Sequence, residues 1–158
     1  KRSTVSSFNC EEALKLNYSI SPKMNFGLNG NFQYQNSTSE RSDFSTINVF
    51  SFNYGLTSQL ELPWNMQLST DLTMYSRRGY ADHSMNTNEL VWNARLSKRF
   101  MKGNLTLMLD GFDILNNLSN VRTTINAQGR VETWNNVTPS YGLFHVIYRL
   151  NKKPNKTK

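Results

Sequence analysis

The side chains able to do chemistry in this 158-residue chain are few and far apart. His83 and His145 lie in different segments, and Cys10 is the single cysteine. That spacing supports neither a zinc-type ligand set nor an internal disulfide. His83 stands beside Asp82 in a polar stretch, the setting of a solvated histidine. Asp71, Arg95, Asp110, His145 and Arg149 fall on or near the polar positions of alternating segments. They are candidates to line a substrate path, with pairing across a sheet as the competing explanation. No Ser–His–Asp set, no carboxylate pair of recognisable spacing and no glycine-rich phosphate loop occurs. The chain is therefore expected not to be an enzyme and to need no cofactor and no metal. Tyr80 and Trp134 sit in long polar connections, where exposed rings can stack on a ligand or one loop can pack on another.

The net charge of +7 comes from 18 Lys+Arg against 11 Asp+Glu. Its placement counts against nucleic acid as a partner. Lys152, Lys153, Lys156 and Lys158 form a short tail, Lys98, Arg99 and Lys102 flank a turn, and no basic run is interleaved with aromatics. No segment approaches the roughly 18 consecutive apolar residues of a membrane helix. The mean hydropathy of −0.59 looks soluble. A membrane-spanning strand scores this way too, because only every second residue meets lipid.

The elements that must position these residues are strands. Leu14, Leu16, Tyr18 and Ile20 alternate with Lys15, Asn17 and Ser19, and the same period of two recurs along the chain. It predicts seven strands over 11–21, 25–36, 44–61, 65–78, 88–100, 104–112 and 139–150, with an extra hairpin over 119–136 and irregular ends. The connections alternate in length. Ser21–Asn25, Pro63–Asn65 and Met101–Gly103 are short turns, whereas Asn36–Asp43, Arg77–Thr87 and Asp113–Thr138 are long and polar. Antiparallel pairing puts all short turns at one end and all long loops at the other.

A soluble β-sandwich also alternates. Three features favour a membrane wall instead. Most strands reach the roughly 10 residues needed to cross a bilayer at a tilt. Long and short connections alternate strictly, as in outer-membrane barrels with their periplasmic turns and outer loops. Tyr34, Phe44, Trp64, Phe100 and Tyr148 cluster near strand ends on the apolar side, where an interfacial ring belongs. The fold expected is all-β, an antiparallel meander of about seven long strands forming the C-terminal segment of a transmembrane β-barrel, with residues 1–158 as one unit. An odd count and two open edges in lipid lead us to expect a piece of a barrel, completed by strands of the same or another polypeptide.

The C-terminal third resembles the end of TonB-dependent outer-membrane receptors, including the branch related to SusC-type glycan importers. The residues that carry the resemblance are Leu105–Asn117, LTLMLDGFDILNN, and Pro139–Leu150, PSYGLFHVIYRL. In that family a penultimate strand runs into an Asn/Asp–Leu–Phe–Asn bend, a polar glycine-containing loop follows, and a last strand closes near an aromatic–basic–Phe ending. Here the bend is Phe112–Asp113–Ile114–Leu115–Asn116 and the ending is Tyr148–Arg149–Leu150, with Leu in place of Phe and eight residues beyond it. The resemblance implies a nutrient importer in the cell outer membrane, with Tyr148 and Leu150 as its assembly signal. It implies as partners outer-membrane lipid, further barrel strands, a plug, the barrel-assembly machinery, and TonB through N-terminal regions that this chain does not contain. A smaller barrel serving as adhesin, pore or structural protein, and a soluble carbohydrate-binding β-sandwich, are the alternatives.

Overall fold

The computed structural model describes residues 4–40, 46–119, 121–126, 129–135 and 138–150. Among these residues nine strands form: β1 (Val5–Ser21), β2 (Met24–Ser39), β3 (Ile47–Leu62), β4 (Met66–Arg78), β5 (Asn88–Phe100), β6 (Leu105–Phe112), β7 (Val121–Asn126), β8 (Gly129–Trp134) and β9 (Tyr141–Tyr148). Seven of them build one antiparallel sheet in the order β1-β2-β3-β4-β5-β6-β9. β7 and β8 make a separate hairpin between β6 and β9.

Some strands run further than side-chain alternation foretells. β1 begins at Val5, inside the stretch expected to be irregular, and β2 continues to Ser39, into the expected loop. There the ladder pairs Val5 with Ser39 and Ser7 with Ser37, whose hydroxyls meet at 3.0 Å. Backbone pairing needs no apolar face once the strands have left the lipid. β9 by contrast ends at Tyr148, although the Arg149 amide still donates to the Asn104 carbonyl at 2.8 Å. Phe44, Asp43, Asn136 and the four tail lysines lie outside the described residues.

The register sorts side chains onto two faces. Leu16, Leu28, Leu56, Leu72 and Trp92 stand in one row across five strands, and Leu109–Phe144 and Leu107–Val146 continue the apolar face to the far edge. These side chains are not covered: Leu16 is 53% exposed, Leu28 54% and Val146 61%. The hydrophobic residues that are buried, Ile47, Val49, Met85 and Val91, do not belong to that face. In water so large an apolar surface would drive association; against hydrocarbon it is the stable arrangement. No second sheet packs on the first among the described residues, as a sandwich would require.

Along β3 the apolar positions run from Phe50 to Leu62. At a rise of ~3.3 Å per residue and a tilt of ~40° they span roughly 30 Å, a bilayer core. Tyr34 and Phe50 meet in a tilted ring contact, centroids 4.9 Å apart, near the outer margin of this band. At the other margin the Lys98 ammonium lies 5.1 Å from the Phe100 ring, so its stem follows the apolar face while its charge stays at the interface.

The opposite face is polar and concave. Side chains from β1 through β6 line one trough, so the sheet curls around them. Two glycines make room for that curl. A Cβ on Gly27 would lie 2.5 Å from Thr57 Oγ1, and one on Gly55 would lie 2.9 Å from the Leu72 carbonyl oxygen.

Two outcomes test this architecture. Leu72→Arg, on the lipid side, should lower the urea stability of the full-length protein in vesicles by about 2–4 kcal/mol, while Gln33→Arg, on the polar side, should change it by less than about 0.5 kcal/mol. Gly55→Val should reduce the heat-modifiable, folded fraction on gels, because the Leu72 backbone cannot move aside without breaking the β3–β4 ladder.

Candidate functional site

Two adjacent rows of the register form the floor of the trough. Asn17, Gly27, Thr57, Asp71 and Asn93 make one, and Ser19, Asn25, Gln59, Ser69, Arg95, Asp110 and Leu143 make the next. Short hydroxyl and amide side chains dominate both. The open volume above them is about 610 Å³.

The charged candidates are concentrated at one side of this floor. Arg95 and Asp110 face each other across β5 and β6 and pair in a fork: Nε donates to Oδ1 at 2.5 Å and an Nη donates to Oδ2 at 3.0 Å. The Asp110 carboxylate is almost fully buried, whereas Arg95 is 52% exposed and keeps one side toward the trough. Such a bidentate pair fixes the plane of the guanidinium. His145 comes from β9, with Nε2 at 3.0 Å from Asp110 Oδ2, a close contact without hydrogen-bond alignment. Asp71 is brought to Asn93 and not to Arg95: the Asn93 amide donates to Asp71 Oδ1 at 3.1 Å and the Thr73 hydroxyl to Oδ2 at 3.3 Å. Arg149 follows the end of β9 at the turn end of the sheet and does not join this group.

The β4–β5 connection is held by a network of hydrogen bonds. In the β4–β5 connection the Arg78 guanidinium donates to the carbonyls of Arg77 and Thr87 and to Asn88 Oδ1. Tyr80 exchanges two hydrogen bonds with Asn86 through its own backbone, so its ring is half-buried at a braced position. His83 opens a single helical turn, His83–Met85, that Asp82 caps through the Ser84 amide. Trp134 ends β8 at 71% exposure, and no ring contact joins it to Tyr80 among the described residues. Tyr148 lies on the apolar face opposite Leu105, and Leu150 is 83% exposed beyond the strand. Among the described residues no three His, Cys, Asp or Glu side chains converge as metal ligands do.

The bend after β6 is built on Asp113. Its backbone is left-handed at φ 44°, its amide donates to Asn93 Oδ1 at 2.9 Å, and its carboxylate accepts from the amides of Asn117 and Leu118 at 3.1 and 2.9 Å. The Ile114 amide returns to the Trp92 carbonyl at 2.8 Å. The chain thus turns back onto β5 before departing toward the hairpin. A carboxylate that caps consecutive amides in this way holds the bend closed.

A trough of hydrated side chains on one face and lipid-seeking side chains on the other is the cross-section of a barrel wall. Comparison with known families agrees: residues 6–148 match the model of the outer membrane protein beta-barrel family. The chain belongs to that family. Its place is therefore the outer membrane. No curated protein and no solved structure gave a significant match.

Neither Asn93 as a hub nor the capping role of Asp113 is legible in the sequence alone. Asn93 reads as one more polar residue in an alternating strand until the register sets it against Asp71 and the bend sets it against Asp113. The FDILN bend was visible, but its capping carboxylate was not separable from a generic polar loop.

Asp110→Asn removes the fork and leaves Arg95 facing an amide. It should cost about 1–2 kcal/mol of stability, discounted for the exposed guanidinium, and Arg95→Met added to it should change stability by less than about 0.5 kcal/mol. In limited proteolysis of intact cells, Asp113→Ala should speed cleavage between β6 and β9 severalfold and leave the β4–β5 connection as resistant as before.

Proposed function

We propose that this chain supplies wall strands and outer loops of a TonB-dependent outer-membrane receptor that imports a nutrient such as a glycan or siderophore, with further strands and a plug completing the barrel. The observation that carries the reading is the trough. Six neighbouring strands contribute to it, and their inward side chains are mostly short. In a small barrel the inward side chains fill the interior, whereas a large transporter leaves a lumen to be plugged. The Asp113 bend and the last strand support the reading through their likeness to that receptor family. The exposed hydrogen-bonding edges of β1 and β9 call for partner strands, since an open edge in hydrocarbon is not stable. On this reading the chain does no covalent chemistry; Arg95, Asp110 and His145 belong to the lumen wall facing plug or cargo, and Tyr148 and Leu150 engage the assembly machinery.

The test is uptake in intact cells. Growth on, or accumulation of, the imported nutrient should fall when the gene is deleted and when a protonophore collapses the inner-membrane gradient. Passive entry that persists with the protonophore would replace this reading with the smaller pore. Unaltered accumulation of every nutrient tried in the deletion strain, alongside lost cell adhesion, would favour the adhesin.

A further inference from the structure

Aromatic side chains in this sheet belong overwhelmingly to the lipid face. Among the described residues of the seven sheet strands, three Phe, Tyr or Trp residues take polar-face positions: Tyr75 opposite Glu89, and Phe112 opposite Tyr141. All three line the same cavity of about 590 Å³ beneath the Asp113 bend, at the outer end of the trough. They come from β4, β6 and β9, strands that no local sequence pattern ties together. Phe112 and Tyr141 stack with centroids 4.7 Å apart. Tyr75 stays 44% exposed and Tyr141 40% exposed, and neither hydroxyl has a hydrogen-bond partner among the described residues. A hydrated wall gains nothing from uncovered rings, whereas a ligand site is commonly built of them with a few directed polar groups.

We infer that this cavity is a binding subsite for a neutral, hydroxyl-bearing ring, the chemistry of an uncharged sugar residue. Among the described residues its lining contains no Lys, Arg or His. Its one carboxylate, Asp113, is committed to the amides of Asn117 and Leu118. The site therefore offers nothing to neutralise an anion and no free charge for a cation. What it offers is ring faces for the C–H side of a sugar and, with no other partner among the described residues, two phenolic hydroxyls and the nitrogen of the Asn116 amide, whose oxygen is held at 3.4 Å by the Ser140 amide. Tyr75 and the stacked pair form the apolar platform, and the hydroxyls meet the sugar's edge. A volume of this size, within the usual ~300–1,000 Å³ of small-molecule sites, suits one or two rings rather than a folded partner. The inference rests on the import reading for the direction of traffic, not for the binding itself.

The experiment is calorimetric titration of the full-length protein in detergent with four neutral hexaoses (maltohexaose, cellohexaose, mannohexaose and chitohexaose), a neutral aromatic hexapeptide and an anionic ferric tricatecholate. At least one hexaose should bind. Tyr75→Ala and Tyr141→Ala should each weaken it about tenfold, whereas Tyr75→Phe and Tyr141→Phe, which keep the ring, should weaken it about two- to fivefold. Heat-modifiable migration confirms that each variant is folded, and the phenylalanine variants keep the test sound if an alanine variant is not. The inference is overturned if no hexaose binds, if binding ignores all four substitutions, or if the peptide or the tricatecholate binds more tightly. Sugar binding without gradient-dependent uptake would remove the import reading and leave the subsite; uptake without sugar binding would do the reverse.

Discussion

A backbone amide or carbonyl left without a partner in hydrocarbon costs several kcal/mol, and everything else in this chain follows from avoiding that cost. A continuous antiparallel ladder satisfies each strand's polar backbone through its neighbours. Once the ladder is obligatory, side chains have only two directions to point. One direction is lipid, so it is filled by Leu, Phe, Tyr and Val, as in the row Leu16, Leu28, Leu56, Leu72 and Trp92. The other is water, so it is filled by Asn, Ser, Thr and Gln. The chain needs almost no hydrophobic core of its own. Its few buried apolar residues, such as Ile47 and Val91, sit on the water side toward the outer ends of the strands.

That same two-way choice is why so much of the fold could be read from the sequence. A period of two survives in the bare order of residues, and the alternating connection lengths assign the two ends of the sheet. The limits of the strands were less legible. Alternation fades where the ladder rises above the membrane, so Val5–Phe8 and Ser37–Ser39 look like loop although they pair. Membership of the polar face was legible for Asp71, Arg95, Asp110 and His145. Their partnerships were not, because a partner depends on register and register depends on turn geometry. Asp71 and Arg95 both invited an ion pair, yet the ladder gives Asp71 to Asn93 and Arg95 to Asp110. Tyr75, Phe112 and Tyr141 were hidden for a related reason: in a chain rich in Tyr and Phe, three on the wrong parity attract no attention until the topology gathers them.

Fold and site are joined through curvature. Gly27 and Gly55 lie on the inner face where the strands bend, and the space they leave is taken by Thr57, Thr73 and Asn29. A flatter sheet would spread the charged group and the Asn-rich rows apart. The bend at Asp113 performs a matching task at the rim. By capping two amides and returning Ile114 to β5, it holds the roof of the aromatic cavity over its floor.

The strand order has a consequence of handed direction. In a meander of seven, the first and last strands point the same way, so β1 and β9 both descend from the loop end to the turn end. Joined directly to each other, or to the equivalent edge of a second copy, they would form a parallel seam, with slanted hydrogen bonds and a shifted stagger. A cylinder that is antiparallel all the way round must insert an odd number of strands between them. Parity alone thus divides the ways this wall can close into two classes, distinguishable by the bonding pattern at a single seam.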